Sequence, residues 1–124
     1  MNENLTDSKG EAVTVELDEP GLAYVIKVAD GEVAGRAHYL VGENDDNERI
    51  FYHTVVDEKF GGRGLSKVLV SEALADAREK GETVVAICPL FVKRLRESGD
   101  DYIAEGGKFR NPTSEDFVYV EQNA

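Results

Sequence analysis

The hydrophobic pattern of this chain changes from the period of a strand to that of a helix after residue 56, and that change limits the folds open to it. Up to residue 56, apolar residues alternate with polar ones or form β-branched and aromatic runs, as they do in strands. Between residues 66 and 77, apolar and small residues recur at helical spacing and form the stripe of an amphipathic helix. An almost wholly apolar run over residues 83–88 then predicts a strand that is covered on both faces.

Turn residues divide the first part of the chain into four predicted strands. The predicted strands cover residues 12–17, 23–29, 32–41 and 49–56. A second helix is predicted over residues 90–98, and Thr113 with Asp116 predicts the cap of a last helical turn. The order β-β-β-β-α-β-α indicates an α/β chain with a mixed sheet, in which an antiparallel β-meander is followed by a βαβ crossover and a short C-terminal helix. We expect this crossover to be right-handed and to make the fourth and fifth strands parallel.

The length of 124 residues fits a single domain. We expect a flexible N-terminal tail over residues 1–10, which are polar and patternless, a folded domain over residues 11–104, and a C-terminal extension over residues 105–124. The single cysteine excludes an internal disulfide and fits a reducing compartment. The chain has no long apolar run and no hydrophobic segment behind its acidic N-terminus, so we expect a cytoplasmic protein without a membrane partner.

The charge of the chain narrows the choice of ligand. Its 14 basic and 25 acidic residues give a net charge of −11. Such a surface disfavours nucleic acids, which normally bind to a basic footprint. One stretch departs from this average, because no acid occurs from Lys59 through Ser71 while Arg63 and Lys67 lie inside it. A local positive cluster in an acidic protein indicates an anionic ligand.

The segment over residues 60–67, which we call the glycine loop, reads Phe-Gly-Gly-Arg-Gly-Leu-Ser-Lys. It lies between a predicted strand and a predicted helix. Glycines let the backbone turn its N–H groups toward a ligand, and the helix N-terminus adds unpaired donors. Together these features predict a phosphate cradle. The alternative is a glycine-rich turn that binds nothing. The segment lacks the Gly-Lys-Ser/Thr ending of a P-loop and the full dinucleotide fingerprint, which disfavours both of those ligands.

The order of these motifs resembles the acetyl-CoA signature of the GNAT N-acetyltransferases. In that family the loop runs Arg/Gln-x-x-Gly-x-Gly/Ala, and its amides hold the CoA pyrophosphate. Gly61 stands here where the family's Arg/Gln usually is, Gly64 matches the central glycine, and Ser66 replaces the last Gly/Ala. The resemblance implies that the side chain of Arg63 or Lys67 supplies the missing phosphate contact. It also implies an acetyl-CoA site formed by Val55, Val56, Gly61, Gly62, Arg63, Gly64, Leu65, Ser66 and Lys67.

A narrower resemblance is to the short, cysteine-containing branch of the GNAT proteins. It is carried by His53-Thr54-x-Val56 before the loop and Cys88-Pro89 after the next strand, and it covers residues 12–103. One departure is that no proline stands two residues before the cysteine. Larger members insert two helices between the first and second strands, where this chain has about five residues, 18–22. We therefore expect an open acceptor side.

The resemblance implies roles for two further side chains. The fourth and fifth strands of GNAT folds splay apart around the thioester, whose carbonyl would be polarised by the backbone of Val55 and Val56. Cys88 would accept the acetyl group or line its pocket; the alternative is a buried structural cysteine. His53 would act as the general base, because histidine titrates near neutral pH. Since His53 shares a predicted strand face with Phe51 and Val55, a core histidine is the alternative.

The sequence contains a second histidine and a second basic group. His38 is expected to be structural. The group Lys93, Arg94 and Arg96 is either a contact for the 3′-phosphate of CoA or a solvated helix face. If His53 faces the splay, it would form a base–nucleophile pair with Cys88.

These expectations combine into an acetyl-CoA-dependent N-acetyltransferase, which moves acetyl to an amine on a small molecule or a protein side chain. The alternative is a non-catalytic sensor or interaction module that binds acetyl-CoA or CoA. A domain without any cofactor is the third reading, and it requires that the glycine loop bind nothing. No metal site is expected, and both a monomer and an oligomer remain open.

Overall fold

The computed structural model describes residues 5–124 of the chain. Its strands are β1 (Val13–Asp18), β2 (Ala23–Val28), β3 (Val33–Val41), β4 (Glu48–Val56), β5 (Thr83–Ala86) and β6 (Lys108–Arg110). Its helices are a 3-10 turn (Glu58–Phe60), α1 (Leu65–Glu79), α2 (Pro89–Ala104) and α3 (Ser114–Asn123). None of the helices in this range has the length and hydrophobicity needed to cross a bilayer.

The strands form one mixed sheet in the order β1-β2-β3-β4-β5-β6. The first four strands pair antiparallel, and β5 lies parallel to β4 and to β6. The predicted meander, the crossover through α1 and the parallel fourth and fifth strands are therefore confirmed. Apolar residues of α1 pack on one face of the sheet and form the core together with side chains of β1 to β5 and α2.

The C-terminal part of the chain contributes more structure than its sequence pattern predicts. The predicted helix over residues 90–98 continues as α2 to Ala104, with a local departure from helical geometry at Ser98. A Cβ on Gly99 would lie 2.9 Å from the ring of Phe109 in β6, so the missing side chain lets β6 pack against α2. The extension over residues 105–124 therefore adds β6 as the sixth strand of the sheet and then forms α3.

Residues 5–10 differ from the flexible tail expected of them, while residues 1–4 lie outside the described range. The N–H of Val13 donates to the carbonyl of Leu5 at 3.0 Å, and Thr6 bridges to Ala12. Leu5 packs against the core, and the Asp7 side chain is fully buried. We call residues 5–12 the N-terminal hook. It is held by polar contacts more than by apolar ones, which is why hydrophobic periodicity does not detect it.

One arginine fastens α3 to the sheet. The Arg110 guanidinium lies between two carboxylates, with its Nε 2.7 Å from Oε2 of Glu48 and its Nη1 2.8 Å from Oδ2 of Asp116. Asp116 also accepts the backbone N–H of Thr113 at 2.7 Å and completes the capping box of α3. The hydrogen bonds from Arg110 are the main reason why the pKa of Asp116 falls from 3.8 to about 2.

This contact makes the stability of the protein depend on acid pH. Because the folded pKa of Asp116 lies below its ordinary value, the pair stabilises the fold above about pH 4 and this stabilisation is lost as the pH falls toward 2. We expect Asp116→Asn to lower the free energy of unfolding at pH 7 by about 1–2 kcal/mol. The difference from the unaltered protein should close toward pH 2 in urea unfolding. Glu115→Gln, at the exposed neighbouring acid, is the control, and an equal loss there would contradict the prediction.

Candidate functional site

The pairing of β4 with β5 ends within the sheet and leaves a gap. Phe51 and Ala86 form the last pair, after which the backbone N–H groups of Ile87 and Cys88 both donate to the carbonyl of Phe51 at 2.9 Å. The chain then turns into α2, while β4 runs on to Val56 beside β3. The gap lies where the family resemblance implies that the two strands splay apart.

A β-bulge in β4 decides which side chains border this gap. Tyr39 pairs with Phe51 and His38 pairs with His53, so Tyr52 is an extra residue on β4. One inserted residue reverses the alternation of side chains beyond it. His53 therefore does not share the face of Phe51, and the sequence-based expectation on that point is wrong.

Thr54 takes the position beside Cys88 that was expected of His53. Its Oγ1 lies 3.3 Å from Sγ of Cys88, at a distance where either atom can donate. Cys88 is 2% exposed and precedes the first residue of α2, at the carboxyl end of β5. Strict alternation assigns Thr54 to the opposite face, so the hydrophobic pattern does not predict its position beside Cys88. The only signal that pointed to it was its place in the His-Thr-x-Val motif.

His53 lies on the face of the sheet opposite α1 and α2, which we call the open face, and its side chain is exposed. Its ring stacks on that of His38 across the β3–β4 pair, with centroids 6.0 Å apart and planes 14° from parallel. Burial lowers the pKa of His38, and the neighbouring His53 and Arg36 lower it further, so His38 is neutral at pH 7. The structure thus brings together the two histidines, and it does not bring together His53 and Cys88.

The backbone of Val56, and not that of Val55, faces the gap. The N–H of Asp57 donates to the carbonyl of Ala34 at 2.8 Å, which makes Gly35 and Val56 a pair without hydrogen bonds between them. The polar backbone groups of Val56 therefore point away from β3. Those of Val55 point toward its partner in β3. Of the two valines expected to bind a thioester, Val56 alone has the required backbone direction.

The glycine loop has the geometry that its sequence predicts. Gly62 and Gly64 have φ angles of +79° and +69°, in the left-handed region that favours glycine. Gly64 directly precedes α1, and among the described residues no side chain caps the first turn of this helix. Its first N–H groups are therefore free to bind an anion. Leu65 is buried in the core, and Ser66 faces a groove beside α2.

Two of the three cations around the loop are neutralised by acids that are distant in sequence. Nε of Arg63 lies 2.6 Å from Asp7, and its Nη2 lies 3.0 Å from Glu11. Lys59 pairs with Glu32. Acids therefore engage the side chain of Arg63, whereas Lys67 faces the groove. That Arg63 or Lys67 contacts phosphate stays a prediction.

The groove between the start of α1 and the exposed side of α2 has a volume of about 500 Å³. Its lining residues are Ser66, Lys67, Val70, Leu90, Lys93, Arg94, Glu97 and Ser98. Nη1 of Arg94 donates to Oγ of Ser71 in α1 at 2.6 Å, which fixes the arginine across the groove. Lys93 and Arg94 thus join Lys67 in one positive surface, whereas Arg96 is not part of the lining. Such a surface suits an elongated anion that begins at the glycine loop.

Comparisons with known proteins agree with this geometry. The family model for GCN5-related N-acetyl-transferases matches residues 23–105. The chain is similar in fold to the NMR solution structure of a GCN5-like protein from Staphylococcus aureus, with a TM-score of 0.51 and 24% identity over 82% of this chain and 91% of that chain. The predicted GNAT-like fold is therefore confirmed. A search of curated proteins finds no match.

The bulge places position 53 on the open face of the sheet, whereas position 88 is buried, so the two positions should differ in accessibility. In the unaltered protein the only thiol is that of Cys88, which should react with Ellman's reagent more than about tenfold more slowly when folded than in urea. The variant Cys88→Ser/His53→Cys carries the thiol on the open face instead and should react at nearly the rate of the unfolded chain. Equal rates for the two folded proteins would contradict the assignment of faces.

Proposed function

The chain belongs to the GCN5-related N-acetyltransferase family, and from this premise we propose that it transfers the acetyl group of acetyl-CoA to an amine. The observation that carries the proposal is the gap between β4 and β5, which opens at the same edge of the sheet as the glycine loop. A thioester in that gap would lie beside the backbone of Val56 and the side chains of Thr54 and Cys88.

In the proposed complex, the diphosphate of CoA binds at the glycine loop. The backbone N–H groups from Gly62 to Lys67 and the Lys67 ammonium are its donors, since a helix N-terminus attracts anions and here carries no acid in its first turn. Lys93 and Arg94 contact the phosphate at the adenosine end, in the groove beside α2. These local donors matter because the protein as a whole, at −11, repels an anion.

The proposed reaction is a direct transfer. The N–H of Val56 polarises the thioester carbonyl, and the amine nitrogen attacks its carbon. The C–S bond breaks, the electron pair leaves with the CoA sulfur, and the proton lost by the amine passes through a base to that thiolate. His53 is our candidate for the base because it is exposed on the open face, from which the acceptor would approach.

Two features favour direct transfer over an acetyl-cysteine intermediate. Cys88 is buried, and the hydrogen-bond partner of its sulfur is Thr54, a hydroxyl that is a far weaker base than imidazole. We assign Cys88 and Thr54 to the wall that positions the thioester. Only residues 19–22 join β1 to β2, so the open face has room for an amine on a larger molecule.

The test combines transfer assays with two variants. The unaltered protein is incubated with acetyl-CoA and a panel of amines, including lysine-containing peptides, and the products are identified by mass spectrometry. We expect His53→Gln to lower kcat by about 10²–10⁴-fold, as the loss of a general base does. Cys88→Ser should retain kcat within about tenfold, because it keeps a side chain of similar shape in the wall.

Each contrary result identifies a different error. Loss of turnover in Cys88→Ser, with acetyl-CoA binding intact and acetyl found on Cys88 of the unaltered protein, would establish the two-step route instead. Full activity of His53→Gln would exclude it as the base. Binding of acetyl-CoA without acetylation of any amine would favour the non-catalytic sensor.

A further inference from the structure

The N-terminal hook lies outside the region that the family model matches and makes its polar contacts with the glycine loop. The family match begins at residue 23, whereas the hook covers residues 5–12. The loop would bind the diphosphate of CoA under the function proposed above. The contacts between these two segments therefore bear on how the cofactor site is formed in this chain.

A single carboxylate builds the turn of the hook. Oδ1 of Asp7 accepts the backbone N–H of Lys9 at 2.8 Å and that of Glu11 at 3.0 Å. The N–H of Gly10 donates to the carbonyl of Asp7 at 3.1 Å, with the glycine in the left-handed conformation at a φ of +83°. The shape of the hook thus depends on Asp7, whose side chain has no exposed surface.

The same carboxylate fastens the hook to the glycine loop. Oδ2 of Asp7 accepts Nε of Arg63 at 2.6 Å, and the guanidinium lies over the ring of Phe60, 5.6 Å from its centroid. Burial acts to raise the pKa of Asp7, but the hydrogen bonds from Arg63 and from the hook backbone lower it below its ordinary value. The carboxylate of Asp7 that faces Arg63 is therefore ionised at neutral pH.

Ser8 adds two contacts to the backbone of the loop. Its N–H donates to the carbonyl of Arg63 at 2.9 Å, and its Oγ lies 3.4 Å from the carbonyl of Gly62. In a trans peptide unit the N–H points opposite to the C=O. Two successive carbonyls turned toward the hook therefore turn the N–H groups of Arg63 and Gly64 away from it. Successive N–H groups directed to one side form a concavity that binds anions.

We propose that the hook is the positioning element of the glycine loop: Asp7, acting through Arg63 and together with Ser8, holds the loop with its N–H groups directed at the CoA diphosphate before the cofactor binds. A loop fixed in its binding conformation loses less conformational entropy on binding, so the hook raises affinity without touching the ligand. Its role in cofactor binding rests on the proposed function. Its hold on the loop does not.

A competing account predicts the opposite change in the affinity for CoA when the hook is altered. If the CoA phosphates needed the Arg63 side chain, Asp7 and Glu11 would compete with them, and removing a hook carboxylate would tighten binding. The geometry favours positioning, because Arg63 is 16% exposed and engages two carboxylates as well as the Phe60 ring. Releasing it would also expose the buried Asp7.

The test compares Asp7→Asn with a matched control. Asp18→Asn is that control, because Asp18 also accepts a turn N–H, that of Gly21, and pairs with an arginine, Arg36. By titration calorimetry with CoA, we expect Asp7→Asn to raise Kd about tenfold, as loss of a charge-assisted hydrogen bond does, and Asp18→Asn to leave it unchanged. In transfer assays the loss should appear in KM for acetyl-CoA, with kcat unchanged.

Two further measurements separate positioning from phosphate contact and from a general loss of folding. Arg63→Gln and the double variant Asp7→Asn/Arg63→Gln should raise Kd no more than Asp7→Asn alone, because each of the three variants breaks the contact between Asp7 and Arg63. Hydrogen exchange of the ligand-free protein should be faster in Asp7→Asn at the amide of Ser8, which donates to the carbonyl of Arg63, with the strands of the sheet unaffected.

Each remaining outcome overturns a stated part of the proposal. An unchanged or lower Kd in Asp7→Asn refutes positioning, and a lower Kd favours the competing account. A larger loss in Arg63→Gln than in Asp7→Asn would make Arg63 a phosphate ligand. If the unaltered protein does not bind CoA, the proposed function fails, and the exchange of the Ser8 amide still decides whether the hook holds the loop.

Discussion

The carbonyl oxygen of Phe51 accepts two backbone N–H groups, and this shared contact ends the pairing of β4 with β5. Beyond this point, the polar backbone groups of Val56 face the gap without β5 as a partner. This is unusual, because backbone polar groups are nearly always paired in folded proteins. The ring of Phe51 stacks on Phe91 of α2, with centroids 4.2 Å apart, which fixes the helix at the same place. The gap, the start of α2 and the position of Cys88 therefore share one cause.

Electrostatics in this protein are local. The chain carries a net charge of −11, yet the groove beside the glycine loop is lined by three cations and one acid. The loop itself is less positive than its acid-free sequence indicates, because acids from the hook and from the β2–β3 connection neutralise Arg63 and Lys59. What remains for an anion is the set of backbone N–H groups and Lys67. Backbone donors are fixed in place and unaffected by pH, which suits a loop that binds phosphates.

The regular part of the fold could be predicted from sequence, since strands and an amphipathic helix leave periodic patterns that survive without tertiary information. The bulge at Tyr52 could not, because an inserted residue has no signature in residue type, and it moved His53 and Thr54 to the opposite faces from those expected. The hook and β6 were missed for a related reason. Hydrogen bonds and ion pairs from distant residues hold the hook, and β6 is only three residues long, so neither carries a periodic apolar pattern.

In the proposed complex, the glycine loop and the end of β4 beyond its pairing with β5 form one binding surface for acetyl-CoA. Titration of ¹⁵N-labelled protein with acetyl-CoA, followed at the backbone amides, tests it most directly. We expect saturable shifts at Val56 and from Gly62 to Lys67, with a smaller response at Cys88 near the acetyl end. An absence of shifts at millimolar acetyl-CoA, or shifts confined to α3, would contradict the claim, and the loop would then be a turn alone.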